Sequence, residues 1–69
     1  MTLTELRRSV PMTISELAIA AGVSDQTIRN AEEGQRISVQ SARGIAQALS
    51  NALGRNIRVQ DIDELQVRY

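Results

Sequence analysis

The side chains with the most usable chemistry in this sequence are Gln26, Arg29 and Asn30. Two are planar amides and one is a planar guanidinium, so each can form paired hydrogen bonds with another planar polar group. On a helical wheel they point, with Glu33, away from Ile28 and Ala31. A Gln or Asn amide matches the major-groove edge of adenine, and an Arg fork matches that of guanine, each pairing being worth about 1–3 kcal/mol of discrimination.

Other chemistries are poorly supplied. The chain has no Cys and no His, which removes disulfides, Cys/His zinc sites and imidazole acid–base catalysis. There is no Gly-rich phosphate loop and no convergent carboxylate pair, and a chain this short has little room for a pocket. Neither an enzyme nor a cofactor or small-molecule binder is expected. Asp61, Asp63 and Glu64 cluster near the end, but their spacing fits no calcium loop and helix capping accounts for them, so no metal is expected. Tyr69 is the one aromatic residue, too little for a platform that stacks single-stranded bases.

The formal net charge is zero, with eight Arg and Lys against eight Asp and Glu. Its distribution is uneven: residues 1–58 carry seven Arg against five acids, and residues 59–69 carry one Arg against three. Every cation is Arg, which suits bidentate contacts to phosphate and base edges, although the choice of Arg over Lys can equally reflect genome composition. No apolar run reaches membrane-spanning length and no signal-peptide core is present, so a soluble cytoplasmic protein is expected.

A polar reading face needs a scaffold, and the sequence reads as helical throughout, forming one domain over residues 1–69 with its core in about 2–65. Thr2 with Glu5 and Thr13 with Glu16 have capping-box spacing, and Met1/Leu6, Met12/Leu17 and Val23/Ile28 have hydrophobic-staple spacing. These signals start helices near Leu3, Thr13 and Ser24; Pro11 stops the first, Gly22 the second and Gly34 the third. Arg7 and Arg8 fall off the apolar side of the first helix and read as a solvated face. A fourth helix runs from Val39 to about Ala52, capped by Ser38 and ended by Gly54. Its Ala42, Ile45, Ala46, Leu49 and Leu53 form the strongest amphipathic stripe in the chain. Asp61 with Glu64 has the spacing of a further cap, with Ile62 and Leu65 able to close the core as a short fifth helix. The alternations Ile57/Val59 and Leu65/Val67/Tyr69 permit extended structure instead. Residues 66–69 read as a frayed, disordered tail, with an exposed strand pairing across a dimer axis as the other reading.

Two helices around a Gly turn, with Leu17, Ala18, Gly22, Val23, Ile28 and Ala31 in order, form a helix-turn-helix pattern. The run ISELAIAAGVSDQTIRNAEEGQR, followed by SVQSARGIAQALS and VQDIDEL, resembles the phage-repressor-like (Cro/C1, or XRE) helix-turn-helix DNA-binding family over nearly the whole chain. The resemblance implies an all-α, compact five-helix bundle of the lambda-repressor-like type with a short C-terminal tail. It implies double-stranded DNA as the partner, with the third helix (about 25–33) in the major groove of a near-palindromic operator, commonly bound by a homodimer. Carried over by position, Gln26, Arg29 and Asn30 read base edges. Ser24 and Thr27 touch bases or phosphates near the helix start. Gln35, Arg36 and Ser38 grip the backbone, and Thr13 opens a helix whose N-terminus faces a phosphate. Ser24 and Asp25 also have a local use at the cap and helix dipole.

Such a minimal chain suits a small phage, plasmid or mobile-element transcriptional regulator, bacterial or phage and nucleoid-associated, or an antitoxin-like repressor that acts with a protein partner. The other reading is a protein-interaction module, or a small subunit of a larger complex, that keeps the fold with weak or no DNA binding. Its support is the zero net charge and the acids Asp25, Glu32 and Glu33 on or beside the third helix.

Overall fold

A computed structural model describes all of residues 1–69. Four α-helices build it: α1 (Leu3–Ser9), α2 (Ile14–Ala21), α3 (Asp25–Glu32) and α4 (Val39–Leu53). Each begins on a hydroxyl side chain. Thr2, Thr13, Ser24 and Ser38 accept hydrogen bonds from the backbone amides of Glu5, Glu16, Thr27 and Ser41, and the first two complete full capping boxes. These hydroxyls satisfy amides that the first helical turn would leave without partners.

The turn between α2 and α3 depends on Gly22, which sits in the left-handed region at φ 73°. Its amide donates to Ile19 and that of Val23 donates to Ala18, at 3.2 and 3.0 Å. Together they form the Schellman pair that closes a helix and reverses the chain.

The core comprises Leu3, Leu6, Leu17, Ala18, Ile28, Ala31, Ile45 and Leu49 with smaller neighbours, and no buried side-chain polar atom lacks a partner. The most extensive packing is between α2 and α4. It is so close that a Cβ on Gly44 would collide with the Ala21 carbonyl oxygen. Gly44 lies within an otherwise strong helix, where Gly costs about 0.5–1 kcal/mol relative to Ala; close approach of the α2 backbone accounts for its presence.

The fifth helix expected from Asp61 and Glu64 does not form, so the bundle has four α-helices. Asp61 caps backward: its carboxylate accepts from the Arg58 amide at 3.0 Å and closes a single 3-10 turn, Val59–Asp61. The Asp63 amide then donates to Met1 at 2.9 Å, and Glu64 turns left-handed at φ 65°. Either event breaks the i to i−4 ladder a helix would need. Ile62 is still buried and Leu65 half-buried, so both pack on the core from a non-helical backbone. The end of the chain is extended. Strand β2 (Val67–Arg68) runs parallel to strand β1 (Ile37–Ser38), with Ile37 opposite Val67 and Ser38 opposite Arg68. Ser50 secures the intervening loop by accepting from the Ile57 amide at 2.8 Å.

Candidate nucleic-acid interface

Helix α3 has two distinct faces. Ile28 and Ala31 are buried, 0% and 4% exposed, against the rest of the core. Gln26 and Arg29 are exposed on the other side, with Thr27 and Asn30 half-buried at its flanks. The Gln26 amide donates to the Asn30 carbonyl oxygen at 2.9 Å, one turn on. This pairing holds both amide planes and leaves each amide further hydrogen-bonding capacity. Arg29 takes part in none of the three ion pairs, and its guanidinium is free of side-chain partners. The outer face therefore offers two fixed amides and one uncommitted cation.

The remaining sequence-derived site residues fall into two groups. Ser24 accepts from the Thr27 amide at 3.1 Å and lies 3.0 Å from the Thr27 hydroxyl, so both are held at the start of α3. Thr13 accepts from the Glu16 amide at 3.0 Å at the start of α2. Ser38 caps α4, accepting from the Ser41 amide at 3.1 Å and donating to the Ser41 hydroxyl at 2.9 Å. These hydroxyls are engaged in capping, and the uncapped amides of the same first turns carry the partial positive charge of a helix N-terminus. Gln35 and Arg36 lie exposed in the turn after α3, and Arg36, like Arg29, has no acidic partner.

Two of the three acids near this surface are already engaged. The Asp25 carboxylate accepts from the Ser15 hydroxyl at 2.8 Å, tying the start of α3 to α2. Glu32 binds Arg7 through both oxygens, with N–O distances of 2.6 and 3.2 Å, and the two side chains are only 14% and 12% exposed. The same guanidinium donates to the Met12 carbonyl at 2.9 Å. Arg7 is therefore not part of a solvated face. It turns inward and clamps α1 to the C-terminal end of α3, because a half-buried carboxylate there needs a charged partner; Arg8 stays exposed. Sequence reasoning had no signal for this pair, whose members are 25 residues apart.

Glu33 remains exposed at the end of α3, and the surface beyond it is acidic. An open groove of about 400 Å³ runs between the starts of α1 and the tail, lined in part by Glu32, Glu33, Asp63 and Glu64. Two capping carboxyls are displaced from their usual pKa range by the groups they cap. Hydrogen bonds from Thr2 hold the Glu5 carboxyl below its usual range, and bonds from Arg58 do the same for Asp61. The Met1 ammonium is raised by its hydrogen bond to Asp63.

No helix is long and apolar enough to cross a membrane. No curated protein and no solved structure matches the chain. A family model described as Helix-turn-helix does match, over residues 3–59, from the first residue of α1 into the 3-10 turn. The match includes both capped helices, the left-handed Gly22 turn and the buried face of α3, and on it the chain belongs to the Cro/C1 (XRE) type of helix-turn-helix DNA-binding proteins.

Proposed function

We propose that this protein is a sequence-specific transcriptional regulator that places α3 in the major groove and acts as a homodimer on a near-palindromic operator. The observation that carries the reading is the outer face of α3: the paired amides of Gln26 and Asn30 beside the unpaired Arg29. In this reading those three side chains contact base edges. Ser24 and Thr27 lie against the strand at the start of α3. Gln35, Arg36 and Ser38 follow the phosphate backbone, as does the start of α2 at Thr13. The protein would work at the nucleoid of a bacterium or on a phage or other mobile element, with or without a protein partner. The alternative is an interaction module without DNA binding, which draws on the zero net charge and on the acids near α3; Arg7 neutralises Glu32, whereas Asp25, bonded to the neutral Ser15 hydroxyl, and Glu33 keep their charge.

The test is selection of bound sequences from a random double-stranded DNA library at low salt. The expected result is a symmetric site with half-sites about 10 base pairs apart. Arg29→Ala should relax the preference at one base position. Arg36→Ala should weaken all sequences alike and reduce the salt slope by about one. Absence of any enriched sequence, together with absence of salt-sensitive binding, would overturn the proposal.

A further inference from the structure

We infer that β2 is a strap that positions Arg36 against a phosphate, with Gln66 and Arg68 acting as positioning residues through their backbone groups. The inference rests on the phosphate contact proposed above for Arg36 and names what holds that side chain in place. Arg36 lies exposed in the connection between α3 and α4, between Gln35 and Ile37. Its own amide donates to no group, so its place is inherited from its neighbours. The Gln35 amide donates to the Asn30 carbonyl at 2.9 Å, which ties the near side of Arg36 to α3. The Ile37 amide donates to the Gln66 carbonyl at 3.0 Å, which ties the far side to β2. A parallel ladder with Ile37 opposite Val67 also directs the Arg68 amide to the Ile37 carbonyl.

The second tie does what the first cannot. Gly34 precedes the connection in a left-handed conformation at φ 84°, and a glycine there leaves the backbone free to swing. The bond at Gln35 holds one end of the segment, and β2 supplies the other from a remote part of the chain. The strand has its own anchorage: Asp63 bridges to Thr2 beside α1, Ile62 is buried, and Val67 packs on the core. A cation held in advance loses less freedom on meeting a phosphate, so more of the contact appears as affinity. The outer face of α3 does not need the strap, because Ile28 and Ala31 fix that helix from within. Loosening β2 should therefore weaken binding to all DNA sequences alike and leave base preference unchanged.

The experiment measures binding of the full chain to random-sequence double-stranded DNA over a range of salt, with amide hydrogen exchange measured separately without DNA. Arg68→Pro removes the N–H that the ladder directs to Ile37. The Ile37 amide should then exchange roughly tenfold faster, the scale of one lost hydrogen bond. The salt slope should fall by up to about one, toward that of Arg36→Ala. Arg68→Gln removes the charge but keeps the amide, and should bind with the parent's slope. Combining Arg36→Ala with Arg68→Pro should give the binding of Arg36→Ala alone, since the strap then has nothing to position. Circular dichroism reports whether Arg68→Pro keeps its helices. Val67→Gly, which loosens the strand and leaves every ladder donor in place, is the second variant and should shift exchange and slope in the same direction. Faster exchange with an unchanged slope overturns the inference, as does an Ile37 amide that is unprotected in the parent. So does a slope lowered by about one in Arg68→Gln, or additive losses in the double variant. A parent without salt-sensitive binding overturns the function reading and this inference with it, whereas a parent that binds, with variants that match it, overturns this inference alone.

Discussion

The two faces of α3 use the same backbone for opposite purposes. Inside, Ile28 and Ala31 are buried, and Glu32 is clamped by Arg7 to α1. Outside, Gln26 and Asn30 are bonded only to each other, and Arg29 is bonded to no side chain. Every strong interaction of the helix is thus made on the side that fixes its position. The side left over is polar and unfilled, as a surface for recognition requires. The comparison also runs along the helix. The Ser24 and Thr27 hydroxyls are held at its start, Arg29 and Asn30 lie in its last turn, and the exposed Glu33 just beyond it lines a groove with Asp63 and Glu64.

The comparison can be broken most severely from inside. Ile28→Ala should cost about 2–5 kcal/mol. A domain of this size has a total stability of only about 3–10 kcal/mol, so thermal melting should show a greatly lowered transition or none. Gly44→Ala tests the seat of α2 beneath α3. Helix propensity alone would make it stabilising by about 0.5–1 kcal/mol. Collision with the Ala21 carbonyl should reverse the sign, with a net loss of about 1–3 kcal/mol by denaturant titration. Glu32→Gln keeps the shape of the clamp but leaves the Arg7 charge uncompensated, and should cost about 1–2 kcal/mol. A stability equal to the parent's would show that the clamp is not needed to hold α3. Arg29→Ala should be the mildest, within about 0.5 kcal/mol of the parent in stability, while losing about 1–3 kcal/mol of DNA affinity at its preferred site. A marked loss of stability instead would assign Arg29 to the fold and remove the distinction between the faces.

Much of this was legible in the sequence because it is local. Thr2 with Glu5, Thr13 with Glu16, Ser24 and Ser38 begin helices in the structure as their spacing implies. Gly22 ends α2 and Gly54 ends α4, each with positive φ. A cap is written within four residues, and its hydrogen bonds close on the same segment. The amphipathic stripe of α4 was readable for a similar reason: a period of 3.6 needs no knowledge of what the stripe packs on.

The misreadings involve residues whose partners are remote. Asp61 and Glu64 have the spacing of a cap, but Arg58, Met1 and Ile37 compete for the same backbone and draw it into a turn and a strand. Arg7 looked solvated because Glu32 lies on a different helix. Gly44 is a glycine inside an otherwise regular helix, a signal that another backbone comes close, but which backbone is decided only by the remote Ala21 carbonyl.

The sequence by itself determined where the helices begin and end, the order of the helix-turn-helix and the polar character of the outer face of α3. Each follows from short-range hydrogen bonding and periodicity. Only the tertiary structure decided that α1 is clamped to α3, that α2 and α4 meet at a glycine, and that the tail is a strand with an open edge. Those outcomes depend on which distant groups satisfy one another's charge, volume and hydrogen bonds, and that selection is made only when the chain closes on itself.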